Sequence, residues 1–435
     1  MNKKEEFNAS KMNYGPRGWL LVIYGLAISF FATCTADSLK QLALLDICTA
    51  RGWDYYDITS IAALFGWINL IAYRAIGKVL QKYSVRKVGM IILPIFAITV
   101  ATILHMQSQI AFIGIYYLFT AAMGMVTQLV IPTYINNWFP RKKGVIIGIT
   151  TAGFPAGACA GIALYYFLER TIGAQAVYFF YAGVFIVITI LAAIFLPDYP
   201  EECGGYPDND PSVSREEANK ILAAGKVEVD NSFWTTKRLL TTPQFWMVLI
   251  ACGLTALCNN SFTSCLVPRM LAAGYDRGAA VGFVSIAMIC GAVGSFVIGF
   301  VDSKIGPRNT LTVMGGLALT ACILNIIPGT FTAVAAMVFI GCIMGGAANM
   351  LMSTTTSMWG RYTFRSVYGL ILPINELFGS LGKLLTARAA KSALGFNLAY
   401  GLAAVFAIIV IVVSRMIKLD SIKKIEVENG VDILH

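Results

Sequence analysis

The sequence predicts an all-α integral membrane protein with twelve transmembrane helices, arranged as two six-helix bundles related by a pseudo-twofold axis. Three observations lead there. Of 435 residues, 57% are hydrophobic and only 13% charged, with mean hydropathy +0.70; a soluble domain carries about 25% charged residues. The apolar residues fall into twelve runs of roughly the 17–25 residues that cross a bilayer as helix. A short basic motif also recurs once in each half of the chain.

In order, the runs cover 18–45, 58–80, 87–106, 110–134, 145–167, 175–197, 245–268, 279–301, 310–329, 332–356, 366–387 and 396–416. Backbone exposed to lipid must satisfy its own hydrogen bonds, so each run is expected to be helical. A membrane barrel would instead show short alternating segments. A polar tail, 1–17, precedes the first bundle, 18–197. The stretch 198–243 begins "DYPEECGGYPDNDPSVSREEANK". It is rich in Pro, Gly and Asp and then carries a charged helical pattern near 214–226. It reads as a cytoplasmic linker whose acids are solvated. The second bundle spans 244–416, and 417–435 forms a second polar tail.

Loop charge gives the orientation. Of 33 Lys+Arg, 24 fall on the side that holds both termini. Six fall on the other: Arg51, Arg170, Arg269, Arg277, Arg388 and Lys391. Lys40, Arg74 and Lys383 lie further inside spans, while Lys78, Lys87 and Arg415, at span ends, count among the 24. Cytoplasmic loops carry the excess of basic residues, so both termini are expected in the cytoplasm, with the chain in the plasma membrane. The net charge of +10 is therefore a topology signal spread over seven segments, and no nucleic-acid partner is expected. Residues 1–16 are polar and the first run is too long for a signal h-region, so no cleavable leader is expected. Ten cysteines form no CxxC pair, and the two histidines, His105 and His435, show no metal-ligand spacing. No metal, no cofactor and no enzymatic activity are expected, and without a Walker motif neither is ATP drive. The expected state is a monomer in the lipid bilayer.

The repeat is "GKVLQKYSVRK" (77–87) after the second run and "GFVDSKIGPRN" (299–309) after the eighth. Gly77, Val79, Lys82 and Arg86 match Gly299, Val301, Lys304 and Arg308 at one offset. Parallel six-helix repeats about an axis along the membrane normal are a known transporter plan. On these residues the whole chain resembles the major facilitator superfamily, whose loop signature is "GxxxDRxGRR". Gln81 and Ser303 stand where that family carries an acid. "NNWFPRKKGVIIGITTAGFPAGA" (136–158) and "PEECGGYPDND" (200–210) resemble segments of its oxalate:formate and monocarboxylate transporter groups. The resemblance implies alternating access around a central cavity lined by the first, fourth, seventh and tenth helices.

Polar residues inside spans cost about 2.5–3.5 kcal/mol each when charged and so mark candidate sites. Asp37 and Lys40 sit three apart on one face of the first helix. There they form either a snorkelling interfacial pair or a pair facing the cavity. Glu376 falls near the middle of the eleventh span, with Lys383 two turns on along the same stripe and Gly379 between them. Lys40 and Lys383 are the anion-binding candidates; each resembles, by helix, a lysine of the carboxylate carriers. Glu376 and Asp37 are the proton-coupling candidates, since burial and a nearby cation pull a carboxyl pKa in opposite directions. Asn259, Asn260, Asn349 and Gln128 are substrate-contact candidates, with interhelical hydrogen bonding as the alternative. Related carriers hold an arginine in the eighth span, where this chain has no charge; Arg277 precedes it as a loop or interface residue. Gly153, Gly157 and Gly161, and Gly291, Gly294 and Gly299, form small-residue faces for close helix packing.

The expected function is secondary transport of a small, monocarboxylate-like organic anion, coupled to protons or by exchange. The alternatives are a carrier of a larger amphipathic acid or neutral compound, and a non-transporting receptor of the same fold.

Overall fold

The computed structural model describes residues 14–140, 142–212, 214–217 and 233–429. Most of the 214–226 pattern and the side chains of Arg74 and Gln81 lie outside the described residues. Every regular element among them is helical. The first half holds α1 (Gly15–Ser38), α2 (Leu44–Arg51), α3 (Tyr55–Lys82), α4 (Val85–Thr102), α5 (Gln109–Met125), α6 (Ile131–Trp138), α7 (Lys143–Thr151), α8 (Gly153–Ile172) and α9 (Ala174–Phe195). The second half holds α10 (Thr236–Thr241), α11 (Pro243–Thr263), α12 (Leu266–Ala272), α13 (Arg277–Ile305), α14 (Pro307–Ile326), α15 (Thr330–Ala390), α16 (Phe396–Met416) and α17 (Asp420–Glu428).

Eleven helical segments among the described residues are long and apolar enough to cross a membrane. The twelfth expected span lies in α3, whose 28 residues reach about 42 Å. Large apolar side chains such as Ile71, Ile110, Phe296 and Phe331 are exposed, as they are when lipid is the solvent. The 61 residues Thr330–Ala390 form one helical element, α15. A straight helix of that length would measure about 92 Å, three times a hydrocarbon core. Gly329 and Ala333 at its start and Ala390 at its end nevertheless line one cavity. The element therefore doubles back, and it contains the tenth and eleventh spans, Thr330–Ala347 and Val367–Ala390.

By contacts the chain divides into two compact units. One gathers the chain up to Ala36 with 71–161 and 168–226; the other gathers 37–70, 162–167 and the chain from 227 on. In the first unit, the small-residue ladder of α8 packs directly on α1. A Cβ on Gly153 would meet the Leu26 carbonyl oxygen at 2.5 Å, one on Gly157 would strike the Phe30 carbonyl, and one on Gly161 would meet Cys34 Cα at 2.6 Å. The linker docks here too. Asp208 is fully buried and accepts from the Lys142 main-chain N–H (3.0 Å), while Lys142 Nζ donates to the Asp208 carbonyl (3.0 Å). Asp198 Oδ1 accepts from the Arg86 N–H at 2.7 Å. The expectation of solvated linker acids is corrected for these two: each accepts from a main-chain N–H of a helical loop, Asp208 in a buried site and Asp198 in a partly buried one.

In the second unit, a Cβ on Gly341 would meet the Ala287 carbonyl oxygen at 2.5 Å, and Gly345 and Gly382 press against the Gly291 and Leu257 carbonyls. A Cβ on Gly299 would meet nothing within 4 Å, so Gly299 is not part of such a seam. First packs with fifth in one half as seventh packs with eleventh in the other, and the glycines decide both pairings.

Residues 37–70 join the second unit through polar contacts at the end carrying the first interhelical loop, hereafter the loop-1 end. Arg277 and Asp46 form a two-pronged pair at 2.7 and 2.8 Å. Lys391 Nζ reaches Asp54 Oδ2 (3.1 Å) and Asp57 Oδ1 (2.9 Å), and Arg388 reaches Asp57 Oδ1 (3.3 Å). The seventh span is broken at Ser264–Cys265, where Pro268 has no N–H to continue the ladder. The buried Gln41 amide mends the break: Nε2 donates to the Thr263 carbonyl (2.8 Å) and Oε1 accepts from the Val267 N–H (3.1 Å).

Candidate functional site

The second limb of α15 carries Glu376 and Lys383 and is clamped to α11. Ser261 Oγ donates to the Gly382 carbonyl (3.1 Å) and Thr386 Oγ1 to the Ser261 carbonyl (3.0 Å). Gly379 leaves room for Asn260, whose Nδ2 would lie 2.9 Å from a Cβ there. Ser380 fits against Gly66 of α3. Close packing on two sides fixes the azimuth of this limb, and hence the direction in which its charged side chains point.

Glu376 is exposed and Lys383 partly buried. Neither side chain forms a hydrogen bond, nor an ion pair within 4.0 Å, with any described residue. Lys383 lies where the charges of Lys40, Glu376 and Asp37 act on it. Lys40 Nζ holds Asp37 Oδ1 at 3.1 Å, both partly buried. Lys40 lies in a π-helical turn, Leu39–Ala43, that joins α1 to α2, and Tyr55 Oη donates to its carbonyl at 2.9 Å. Such turns rotate the following side chains and concentrate at functional positions. The result is two ammonium groups and two carboxyls, one pair closed and the other open.

The remaining candidates are scattered. Asn259 is partly buried, and its Oδ1 has no hydrogen-bond partner. Asn260 Nδ2 donates to the Ala256 carbonyl at 3.0 Å. Asn349 is exposed, and its Nδ2 donates to Ser295 Oγ at 3.0 Å, linking α15 to α13. Gln128 lies in the other unit, exposed in a second π turn, Val126–Val130. No group of His, Cys, Asp and Glu suited to a metal occurs among the described residues. Sequence reasoning missed Gln41, the two π turns and buried Asn375, whose Oδ1 is unpartnered. None of these has a sequence signature beyond a polar residue in an apolar run. A cavity of about 460 Å³ at the loop-1 end contains none of the four charges.

The family model described as Major Facilitator Superfamily matches residues 26–383. The chain is 26% identical over 323 residues to the oxalate:formate antiporter of Oxalobacter formigenes, covering 70% of each protein. It is 22% identical over 372 residues to the uncharacterized MFS-type transporter YhjX of Escherichia coli (strain K12), covering 82% of this chain and 85% of that one. Among solved structures, an inward-facing bacterial homologue of the human lysosomal transporter Spinster superposes with TM-score 0.71 at 13% identity, over 95% of this chain and 99% of that one. A variant of the nucleoside transporter NupG superposes with TM-score 0.62 at 16% identity, over 91% and 99%. At these identities the structural likeness is one of fold.

Proposed function

Because the chain belongs to the Major Facilitator Superfamily, we propose that it carries a small organic anion of monocarboxylate type across the plasma membrane by alternating access. It is a multi-pass carrier of a small molecule; the anion, the coupling and the orientation are our reading. Lys383 and Lys40 bind the anion, Glu376 and Asp37 exchange protons, and the loop-1 end faces outward as the basic-loop count implies. The observation that carries this is the open Glu376–Lys383 pair set against the closed Asp37–Lys40 pair. A charged lysine at membrane depth with no ion-pair partner is costly, and a transported carboxylate would supply its counter-charge. The named activity of the Oxalobacter formigenes relative agrees in substrate class. The acceptance of two exchanging anions or of an anion with a proton both fit the four charges.

Uptake into proteoliposomes tests this, with mono- and dicarboxylates beside neutral amides of the same shape. Carboxylate uptake should depend on Lys383 and Lys40, with the amides not transported. Uptake of amides alone would sink the anion reading. One observation favours a second reading, a larger or neutral cargo: α13 carries its charges only at its ends, at Arg277, Asp302 and Lys304, so no third cation completes a clamp. Competition by bulky neutral compounds but not by carboxylates would select that reading.

A further inference from the structure

The cavity of about 460 Å³ at the loop-1 end is lined by Arg269, Asn325, Tyr56, Tyr275 and Phe396, together with main chain and small residues at helix ends. Its volume falls within the range of small-molecule sites, roughly 300–1,000 Å³. Arg269 is 8% exposed and Asn325 6%. An arginine has five N–H donors. Here one reaches a protein oxygen, Nη2 to the Asn325 carbonyl at 2.7 Å, and Nη1 meets only the Met270 sulfur at 3.9 Å. No described carboxylate pairs with it. Its guanidinium lies 4.8 Å from the Tyr400 ring centroid, and Phe262 stacks on Tyr400 at 6.0 Å, so the group is held from behind. Asn325 Nδ2 donates to the Ala321 carbonyl at 2.8 Å, while Oδ1 is buried with no partner. If the amide is flipped, its other end is the unsatisfied one.

A buried unpaired cation beside an unsatisfied amide is expensive. Capping the C-terminal turn of α14 explains the one hydrogen bond Arg269 makes to oxygen but leaves most of its donors unused. Helix ends of both signs line the cavity, so helix dipoles do not decide its preference; the guanidinium does. The aromatic rings of Tyr56, Tyr275 and Phe396 suit an apolar body.

We propose that this cavity is a second binding site, separate from Lys40 and Lys383, for a small aromatic carboxylate. Its carboxylate pairs with Arg269, its ring lies among Tyr56, Tyr275 and Phe396, and a hydroxyl substituent, where present, satisfies Asn325.

The test is binding of benzoate and benzamide to the full chain in lipid nanodiscs by calorimetry, in the parent, Lys383→Ala, and Lys383→Ala combined with Ala273→Trp or Arg269→Gln. Ala273 is exposed at the cavity wall, so its tryptophan blocks the space without disturbing Arg269 and guards against misfolding of the arginine variant. Benzoate should still bind Lys383→Ala at about one per chain. Either added substitution should weaken it by at least about tenfold, as loss of a hydrogen bond to a charged group does, and benzamide should bind weakly throughout. Loss of benzoate binding in Lys383→Ala alone, or binding there that ignores Ala273→Trp, overturns the second site. Parent binding equal to that of Lys383→Ala, and lost when Ala273→Trp is added to it, would sustain the second site and count against the transport-site assignment.

Discussion

Glu376 and Lys383 stand two turns apart on one limb, close enough to feel each other and too far apart to pair. That spacing makes each available to a ligand or proton. We expect Glu376→Gln to abolish proton-driven accumulation in proteoliposomes while sparing exchange; undiminished uphill uptake would remove Glu376 as the coupling group. Lys383→Ala should weaken anion binding by about 10- to 150-fold, the range for hydrogen bonds to charged groups at about 1.5–3 kcal/mol. Lys383→Arg should restore part of that, because it returns the charge. Equal weakening of a neutral analogue would instead indicate a packing defect. The four charges were legible in the sequence because ionisable residues are rare at membrane depth. Their meeting was not, since it depends on a π turn at Lys40 and on how α15 is rotated. Arg269 was legible only as one of six basic loop residues; its burial and lack of an acidic partner are tertiary facts.

At the scale of elements, packing depends on positions where backbone meets backbone. A side chain at Gly157 would strike the Phe30 carbonyl, and main chain cannot swing aside. We expect Gly157→Ala to lower stability by about 1–3 kcal/mol, as overpacking does, whereas Gly299→Ala, with open space around it, should be neutral. Thermal unfolding of the purified variants in one detergent checks both, and matched losses would show that the ladder is not a seam. The ladder was readable from its four-residue spacing; its partner helix was not, because spacing defines a face and not what covers it. The break in the seventh span follows from Pro268. That Gln41, 222 positions away from Thr263, satisfies the freed groups could only be seen in the fold. Gln41→Leu should destabilise by about 1–3 kcal/mol for each group left unmade, measured the same way.

At the scale of the molecule, the loop-1 end ties residues 37–70 to the second-half helices by charge. Burial pushes the Asp54 carboxyl up, but the Asp57 N–H and Lys391 outweigh it, and the group titrates below its ordinary 3.8. Hydrogen bonds that Lys391 donates to Asp57 and Asp54 raise it above its ordinary 10.5. A depressed carboxyl stabilises above its unfolded value and loses that contribution as pH falls through the folded one; a raised ammonium stabilises below its unfolded value and loses it as pH rises. The cluster should therefore hold across neutral pH and fail at both extremes. Exposed pairs are individually weak, so the melting temperatures of the parent and Lys391→Ala should differ by only a few degrees at pH 7. They should converge below about pH 3.5, near the ordinary carboxyl range. A gap that persists in acid would mean that Lys391 acts by packing rather than charge.

Sequence alone determined the membrane solvent, the helical class, the internal repeat and the rare charged positions. Each of these is a matter of composition or period, and bilayer thickness with backbone hydrogen bonding leaves few alternatives. Tertiary structure alone decided which helices touch, which linker acids are buried, and that residues 37–70 side with the second half. It also placed Lys383 where the charges of Lys40, Asp37 and Glu376 act on it and left Arg269 facing a cavity without an acid. Those outcomes depend on helix rotation and on contacts between residues hundreds of positions apart, which a run of apolar letters does not encode.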